Sequence, residues 1–534
     1  MTSTGPDRGS RSLRSSAASG VLWSGAQMWL VRATTAGAFI VISRQLQPTE
    51  FGLVALAMSV ITVLQLLGDS GMATYLIRTP GLGERHRSTA FWTSLLLATL
   101  LAGALAALAG PVSALFDEPG LAPVLRWLSL GLVLTGLGSV PTALMRRDMR
   151  FKQLALRGTV ATLLGSVVAI VLALLGAGVW ALVAQNLVRG VVNVAITWSV
   201  VHWWPRFLLD RREARAMLTF GSKLLGIDLL LQARTRGEEF VIAGVAGATT
   251  LGFWALANRL VKIIQETGSS VVSTVATPAF AKLQDDRPRL FRAYESALYT
   301  AGLVMFPAML LLAVTSTDLV PLLLGEQWAV TSRVAQVVAL SAALTVFSQF
   351  DRAVFVAVGT LRPEVVMVSV IVALHLGIVV VLLPHGLLWV AVGLLARVVL
   401  ALPVRQVVLH RTVGLPLRSS LKAWRVLLAA VVMALLVQVS SLLLDDAEAW
   451  LRVVVALAVA AATYPVALWL VARPVVRSVL ADVRGLRRRR PAAPPAQAPS
   501  EDAVAVGAAP GTAVTPDVPP TVTPTPGAGT DRER

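Results

Sequence analysis

The chain has 534 residues, 56% of them hydrophobic and 14% charged, with a net charge of +18 and no cysteine. Soluble domains carry about 25% charged residues, so the composition excludes an ordinary soluble enzyme, and the missing thiols exclude a disulfide framework and a thiolate metal site. The positive excess points to nucleic acid or to a membrane surface, and its position along the chain decides between them.

Taken in order, the apolar runs predict about 14 membrane-crossing helices, each near the ~20 residues that a hydrocarbon core requires. They fall at 18–43, 51–74, 88–114, 121–145, 154–175, 179–203, 216–245, 250–280, 293–322, 330–358, 364–383, 388–409, 424–443 and 450–472. The first run is too long for a signal-peptide core and lacks a small-residue cleavage pattern, so it reads as a signal anchor. Basic residues follow alternate runs. Arg8, Arg11 and Arg14 precede the first. Arg78, Arg85 and Arg87 follow the second, Arg146 to Lys152 the fourth, Arg206 to Arg215 the sixth, Arg287 to Arg292 the eighth, and Arg473 to Arg490 the last. The opposite links hold no Lys or Arg, and several carry acids instead, among them Glu50, Asp117, Glu118, Glu326 and Asp445. That alternation places both termini in the cytoplasm by the positive-inside rule. The localisation expected is the plasma membrane, with membrane lipids as neighbours. The arginine cluster before the tail then orients the chain and meets anionic lipid heads; no nucleic-acid role is expected. The tail from Pro491, rich in Pro, Ala, Thr and Gly, reads as disordered.

An ungapped internal repeat relates 41–74 to 241–274. Thr49, Gly52, Ala55, Leu56, Ala57, Gln65 and Gly68 recur as Thr249, Gly252, Ala255, Leu256, Ala257, Gln265 and Gly268. An even number of runs separates the copies, so both enter the membrane in the same sense. The fold class is therefore an all-α polytopic membrane protein, with two six-helix lobes related by a parallel repeat plus two C-terminal helices. The expected organisation is a cytoplasmic segment 1–17, an N-lobe 18–203, a linker 204–215, a C-lobe 216–409, a final pair with its preceding link 410–472, and a tail 473–534.

Motifs for covalent chemistry are missing from the sequence: there is no P-loop, HExxH, GxSxG or EF-hand loop. Asp117-Glu118 sits in FDEPG, whose Pro and Gly make a turn the simpler reading than a catalytic pair. The five histidines form no ligand pair, and neither a metal nor a cofactor is expected. What stands out is charge inside apolar runs, which costs roughly 2.5–3.5 kcal/mol per group at a helix centre. The run 216–282 holds Lys223, Asp228, Arg234, Arg236, Glu238, Glu239, Arg259, Lys262 and Glu266. Arg259, Lys262 and Glu266 share one helical face by their spacing. Arg32 and Asp69 lie in the first two runs, and Asp351 with Arg352 in the tenth. Two readings stay open. The charges close on each other, with Arg236–Glu239 and Lys262–Glu266 as natural pairs, or they line a wet cavity. In the second reading Arg32, Arg234, Arg236, Arg259 and Lys262 bind an anionic substrate, since the guanidinium fork matches phosphate. Trp23, Trp29 and Trp254 read as packing or interfacial residues before they read as sugar platforms.

Three stretches carry a resemblance: QPTEFGLVALAMSVITVLQLLGDSGMATYLI at 47–77, GLGSVPTALMRRDMRFKQLAL at 136–156 and TPAFAKLQDDRPRLFRAY at 277–294. In this order and spacing they resemble the Wzx-type, colanic-acid-exporter-like polysaccharide flippases of the multidrug/oligosaccharidyl-lipid/polysaccharide exporter superfamily, from about Ser19 to Leu415. The resemblance implies a non-enzymatic flippase that moves undecaprenyl-pyrophosphate-linked oligosaccharide repeat units outward by alternating access, working beside a polysaccharide polymerase and glycosyltransferases. Family members often show an Arg-x-x-Asp pattern late in the seventh helix; here Arg236-Gly237-Glu238-Glu239 stands there, with Glu for Asp. Ion coupling in relatives makes Asp69, Asp228, Glu239 and Glu266 candidates for that role. The alternatives are a peptidoglycan lipid-precursor flippase and a drug or cation antiporter of the same superfamily; the latter favours a more acidic cavity. A membrane polymerase or ligase is disfavoured by the short outer links.

Overall fold

The computed structural model describes residues 31–69, 71–283, 286–360 and 362–477, and all regular structure among them is helical. The N-terminal half comprises α1 (31–45), α2 (Pro48–Asp69), α3 (Met72–Arg78), α4 (Glu84–Leu115), α5 (Leu121–Arg147), α6 (Phe151–Leu174) and α7 (Val179–Val200). The C-terminal half comprises α8 (Arg211–Lys282), α9 (Arg287–Leu324), α10 (Ala329–Thr345), α11 (Asp351–Val358), α12 (Arg362–Leu382) and α13 (Leu387–Val413). A last pair, α14 (Leu421–Leu443) and α15 (Ala449–Val471), follows.

Twelve helices among the described residues are long and apolar enough to cross a membrane, against about 14 read from hydropathy and span length. Two differences account for this. The first expected run is described only as α1, because 18–30 lie outside the described residues, as do the segment 1–17 and the tail beyond Arg477. The seventh and eighth runs join as α8, whose helical backbone is broken at one residue, Gly247 (φ 77°, ψ 173°). That backbone region is open essentially to glycine alone. Gly325 (φ 106°, ψ 159°) and Gly386 (φ 110°, ψ 160°) adopt the same conformation where the chain turns into the helices that follow them. Gly247 is thus a one-residue turn of the same kind, and α8 consists of a first segment (211–246) and a second segment (248–282).

Local chemistry sets the helix ends. Pro48 opens α2, where its missing N–H costs nothing, and the Glu50 carboxylate takes the Gln47 N–H at 2.8 Å. The Asp210 carboxylate caps α8 by accepting from the Arg212 and Glu213 amides, and Asp286 caps α9 through Arg289; each satisfies donors that a helix start leaves orphaned. FDEPG is the expected turn, with Asp117 at φ 51°. The Glu118 carboxylate does more than solvate it, accepting the Ala248 N–H at 2.7 Å and so capping the second segment of α8.

The two halves share one apolar core. Leu53, Leu56 and Ala57 of α2 and Leu121 and Leu125 of α5 lie in one cluster with Ile242, Leu251 and Trp254 of α8 and Val390 and Ala391 of α13. At its centre α2 and α8 cross back to back. The Thr49 and Thr249 hydroxyls hydrogen-bond at 2.6 Å. A side chain on Gly52 would strike the Ala248 carbonyl, and one on Gly252 would strike the Pro48 carbonyl. These relations exchange under a shift of 200 residues, the reciprocity of a two-fold contact. The same end of the molecule is tied by Arg44, which donates to the Leu322 and Leu323 carbonyls, and by Trp328, which donates to the Ser43 carbonyl.

Farther along the C-terminal half, Arg405 of α13 donates to Asp351 of α11 at 2.8 Å, lies 3.5 Å from Glu364 of α12, and Tyr294 of α9 donates to Asp351 at 2.9 Å. The pair α14–α15 packs on α9, where Arg452 meets Asp318 at 2.8 Å and Tyr464 donates to the Leu303 carbonyl.

Candidate functional site

The charges foreseen inside the membrane-crossing runs resolve into three arrangements. Arg236 closes on Glu239 at 2.6 Å, one helical turn along α8, and both are largely shielded, with side-chain exposures of 22% and 17%. Glu239 also accepts a hydrogen bond from Ser59 of α2, so this pair faces the opposite half. Arg236 therefore behaves as a partner for Glu239 more than as a free cation.

Lys262 and Glu266 stand 3.9 Å apart with side-chain exposures of 61% and 58%. An ion pair that open is worth little by itself. Its importance is what exposure implies: charges at that depth are tolerated only where they face protein or water. Arg32 of α1 donates to the main-chain carbonyl of Glu266 at 3.0 Å, bringing the first helix onto the same face.

Arg234 and Arg259 form the third arrangement. Neither makes a hydrogen bond or ion pair among the described residues; Arg234 is exposed and Arg259 half-buried. At a 1.5 Å rise per residue, Arg32 lies from the end of α1, and Arg234 and Arg259 lie from the Gly247 turn, by roughly 17–20 Å. Arg234 and Arg259 thus lie at a similar distance along the helix from that turn, while the Arg32 guanidinium sits against the Glu266 carbonyl, farther along α8 than Arg259. Unpaired arginines such as Arg234 and Arg259 can take a multiply charged anion through bidentate hydrogen bonds.

The side chains of Asp69 and Asp228 lie outside the described residues, as do Trp23 and Trp29. Trp254 is buried in the shared core, 4% exposed, and is a packing residue. No group of three or more His, Asp and Glu side chains among the described residues could hold a metal ion.

One constellation escaped the sequence reading. Glu238 of α8 and His375 of α12 meet at 2.8 Å, both buried, and Arg397 of α13 is electrostatically coupled to Glu238 and Arg234. His375 and Arg397 are lone charged-type residues inside apolar runs, a signal that was available. Their partnership with Glu238 was not, because α12 and α13 lie more than a hundred residues downstream.

Comparison with known proteins places this geometry. The chain is 30% identical over 301 residues to the succinoglycan biosynthesis transport protein ExoT of Rhizobium meliloti (strain 1021), covering 56% of this chain and 61% of that protein. It is 26% identical over 323 residues to the lipopolysaccharide biosynthesis protein WzxC of Escherichia coli (strain K12), covering 59% and 65%. The chain thus spans less than two thirds of the length of these curated relatives. Among solved structures, the lipid II flippase MurJ in an inward closed conformation superposes with a TM-score of 0.70 at 13% identity, covering 85% of this chain and all of that one. An inward-facing multidrug resistance MATE family transporter of the MOP superfamily gives 0.57 at 16% identity, covering 71% and 96%. At these identities the structures establish a shared fold. The model of the family described as polysaccharide biosynthesis protein matches residues 41–333, more than half of the chain and the part that contains the seam and the charged stretch of α8; the chain is a multi-pass membrane protein belonging to that family.

Proposed function

We propose that this protein is a flippase that carries undecaprenyl-pyrophosphate-linked oligosaccharide repeat units from the cytoplasmic to the outer leaflet of the plasma membrane, by alternating access and without covalent chemistry. The observation that carries the reading is a group of cations within the membrane-crossing stretches, Arg234 and Arg259 without a hydrogen bond or ion pair among the described residues and Arg32 against Glu266, inside a chain of the polysaccharide biosynthesis protein family. A diphosphate linking lipid to glycan is the part common to all such substrates, and it is the part that arginine recognises. Lys262 adds charge on the same face. The relatives named for succinoglycan and lipopolysaccharide biosynthesis support an exported glycan, with polymerase and glycosyltransferases as partners in the pathway.

The same proposal includes fourteen spans, both termini in the cytoplasm, and two lobes that rock about the α2–α8 seam; the reciprocal contacts at Gly52 and Gly252 support a repeat of that kind. Coupling to an ion through Asp69, Asp228, Glu239 or Glu266 belongs to this reading too. The lipid II flippase fold favours a second reading, a peptidoglycan precursor as cargo, which shares the diphosphate. The deciding experiment is a deletion strain. Accumulation of a lipid-linked repeat unit on the cytoplasmic face supports the first reading, and accumulation of peptidoglycan precursor supports the second. No accumulation of either rejects the flippase assignment.

A further inference from the structure

The segment 201–210 joins α7 to α8 and lies against the start of α4, held there largely by its main chain. Ser88 Oγ accepts the Arg206 N–H at 3.1 Å, and Thr89 Oγ1 accepts the Asp210 N–H at 3.0 Å. Trp92 Nε1 donates to the Arg206 carbonyl at 2.8 Å. Trp203 is buried, and its indole N–H is shared between the two Glu84 carboxylate oxygens at 3.0 and 3.2 Å. A backbone fixed in this way leaves other side chains pointing outward. Trp204 is 79% exposed and Phe207 91%, and each rests on a ring of the helices beside it. Phe207 stacks on Trp92 with centroids 4.9 Å apart, and Trp204 tilts against Trp198 at 5.4 Å. Large rings presented at the end of membrane spans suit the interfacial level of a bilayer, where one side is apolar and the other wet.

Helix α8 begins directly after this segment. Its first turns carry a cavity of about 710 Å³ lined by Arg211, Arg212, Arg215, Ala216, Thr219 and Phe220, within the roughly 300–1,000 Å³ of ordinary ligand sites. The spacing puts all six on one half of the helix. Their order is a gradient. Guanidiniums come first along the helix and less polar surface follows, ending at Phe220, whose ring packs edge-on against Tyr75 of α3 at 5.7 Å. The acids at this corner are taken. Asp210 accepts the Arg212 and Glu213 amides, so the site is made by side chains and not by the helix start. Glu213 faces His86 at 3.6 Å, and Glu84 is held by Trp203 and Ser88. The side chains of Arg206, Arg211, Arg212 and Arg215 are exposed and make no hydrogen bond or ion pair among the described residues. Their charge is open to a ligand from outside the chain.

We propose that this corner is a binding site for one anionic phospholipid of the surrounding bilayer, of the phosphatidylglycerol class. Arg211, Arg212 and Arg215 take the headgroup phosphate, through the planar donor fork that matches it. An acyl chain follows Ala216, Thr219 and Phe220 along the helix and removes that apolar surface from water, which a soluble phosphate cannot do. Trp204 and Phe207 hold the segment beside the cavity at headgroup level. The cations read for the diphosphate cargo lie elsewhere. Arg234 follows Arg215 by nineteen residues in the same helical segment, roughly 28 Å at 1.5 Å per residue. The lipid site is thus independent of what the protein carries. A lipid bound here ties the covalent link between the two halves to the bilayer.

The test uses the full-length protein in nanodiscs of phosphatidylcholine with a minor fraction of phosphatidylglycerol, and native mass spectrometry counts the lipid that stays bound on release. One phosphatidylglycerol per chain is expected to be retained in preference to phosphatidylcholine. The triple variant Arg211→Gln, Arg212→Gln, Arg215→Gln should lose that preference about tenfold or more, the order of a hydrogen bond to a charged group. A charge-matched variant, Arg411→Gln, Arg418→Gln, Arg425→Gln, removes three exposed arginines outside the cavity and should keep it. None of these six side chains has a partner among the described residues, so both variants should melt with the parent protein in phosphatidylcholine alone. Equal loss in the two variants reduces the site to surface charge and overturns the proposal, as does the absence of a retained phosphatidylglycerol. Displacement of the lipid by inorganic phosphate overturns it as well, by showing an anion site without a lipid. Undecaprenyl diphosphate taken by the same arginines in preference to phosphatidylglycerol also overturns it, and assigns the cavity to the cargo.

Discussion

Two parts of α8 meet the N-terminal half in opposite ways. Around Gly252 the contact is made of main chain and small side chains: two glycines, two threonines sharing one hydrogen bond, and a capping carboxylate from Glu118. Between Arg234 and Glu239 it is made of long charged side chains, some closed on partners and some open. A seam without side-chain bulk packs tightly and reseals in one geometry, because main chain has no rotamers to lose. A charged surface stays wet and adaptable, because each unpaired guanidinium keeps its claim on water or an anion. In the proposed flippase, this division would seal one end completely while a polar cargo is held in the middle.

The largest effect is expected from breaking the seam. Gly52→Leu or Gly252→Leu puts a side chain into a carbonyl, and overpacking of this kind costs about 1–3 kcal/mol where relaxation is possible. Here both backbones must part, so polysaccharide export should fall to background. Disulfide formation between Thr49→Cys and Thr249→Cys should fall with it, while the protein still inserts.

Next comes the closed pair. Glu239→Ala removes the partner of Arg236 and the acceptor of Ser59; stranding a shielded charge costs roughly 3–5 kcal/mol. A lower melting temperature in detergent is expected, partly restored by the double variant with Arg236→Met. If Glu239→Ala leaves stability unchanged, the pair is not what holds this turn of α8 to α2.

The open cations should behave differently. Arg259→Ala removes no partner within the protein, so stability should hold. Export should drop about tenfold or more, the equivalent of the ~1.5–3 kcal/mol carried by a charge-assisted hydrogen bond. Arg234→Ala should act alike, and Arg259→Lys should keep part of the activity. Normal export in both alanine variants would remove the cationic site. Thr49→Val costs only the shared hydroxyl bond, about 1 kcal/mol, and should slow export slightly. Removal of 491–534 should leave export unchanged, measured against the full chain at equal membrane level.

Much of this was legible in the residues. Charge alternation and run length disclosed a many-helix membrane protein, because hydrocarbon admits only backbone that satisfies itself within helices. The repeat pointed to Thr49, Gly52, Thr249 and Gly252 before any coordinates, since the two copies keep one register over the seam. The local pairs Arg236–Glu239 and Lys262–Glu266 followed from helical spacing alone. One feature was less visible. Hydropathy divided 216–282 into two runs but could not show that a single glycine separates them, because one residue leaves no polar gap to detect.

The sequence by itself thus determined class, span positions and which charges would be costly, all of which depend on composition along one dimension. Tertiary structure alone decided which of those charges are free. Whether Arg259 stands open while Arg236 is closed, and whether Glu238 finds His375 across 137 residues of chain, depends on how α2, α12 and α13 lie against α8. Where α2 meets α8, that arrangement comes from close packing at Gly52 and Gly252, where a missing side chain lets one helix approach another. No periodicity encodes that approach, because it is a property of two surfaces and not of either one.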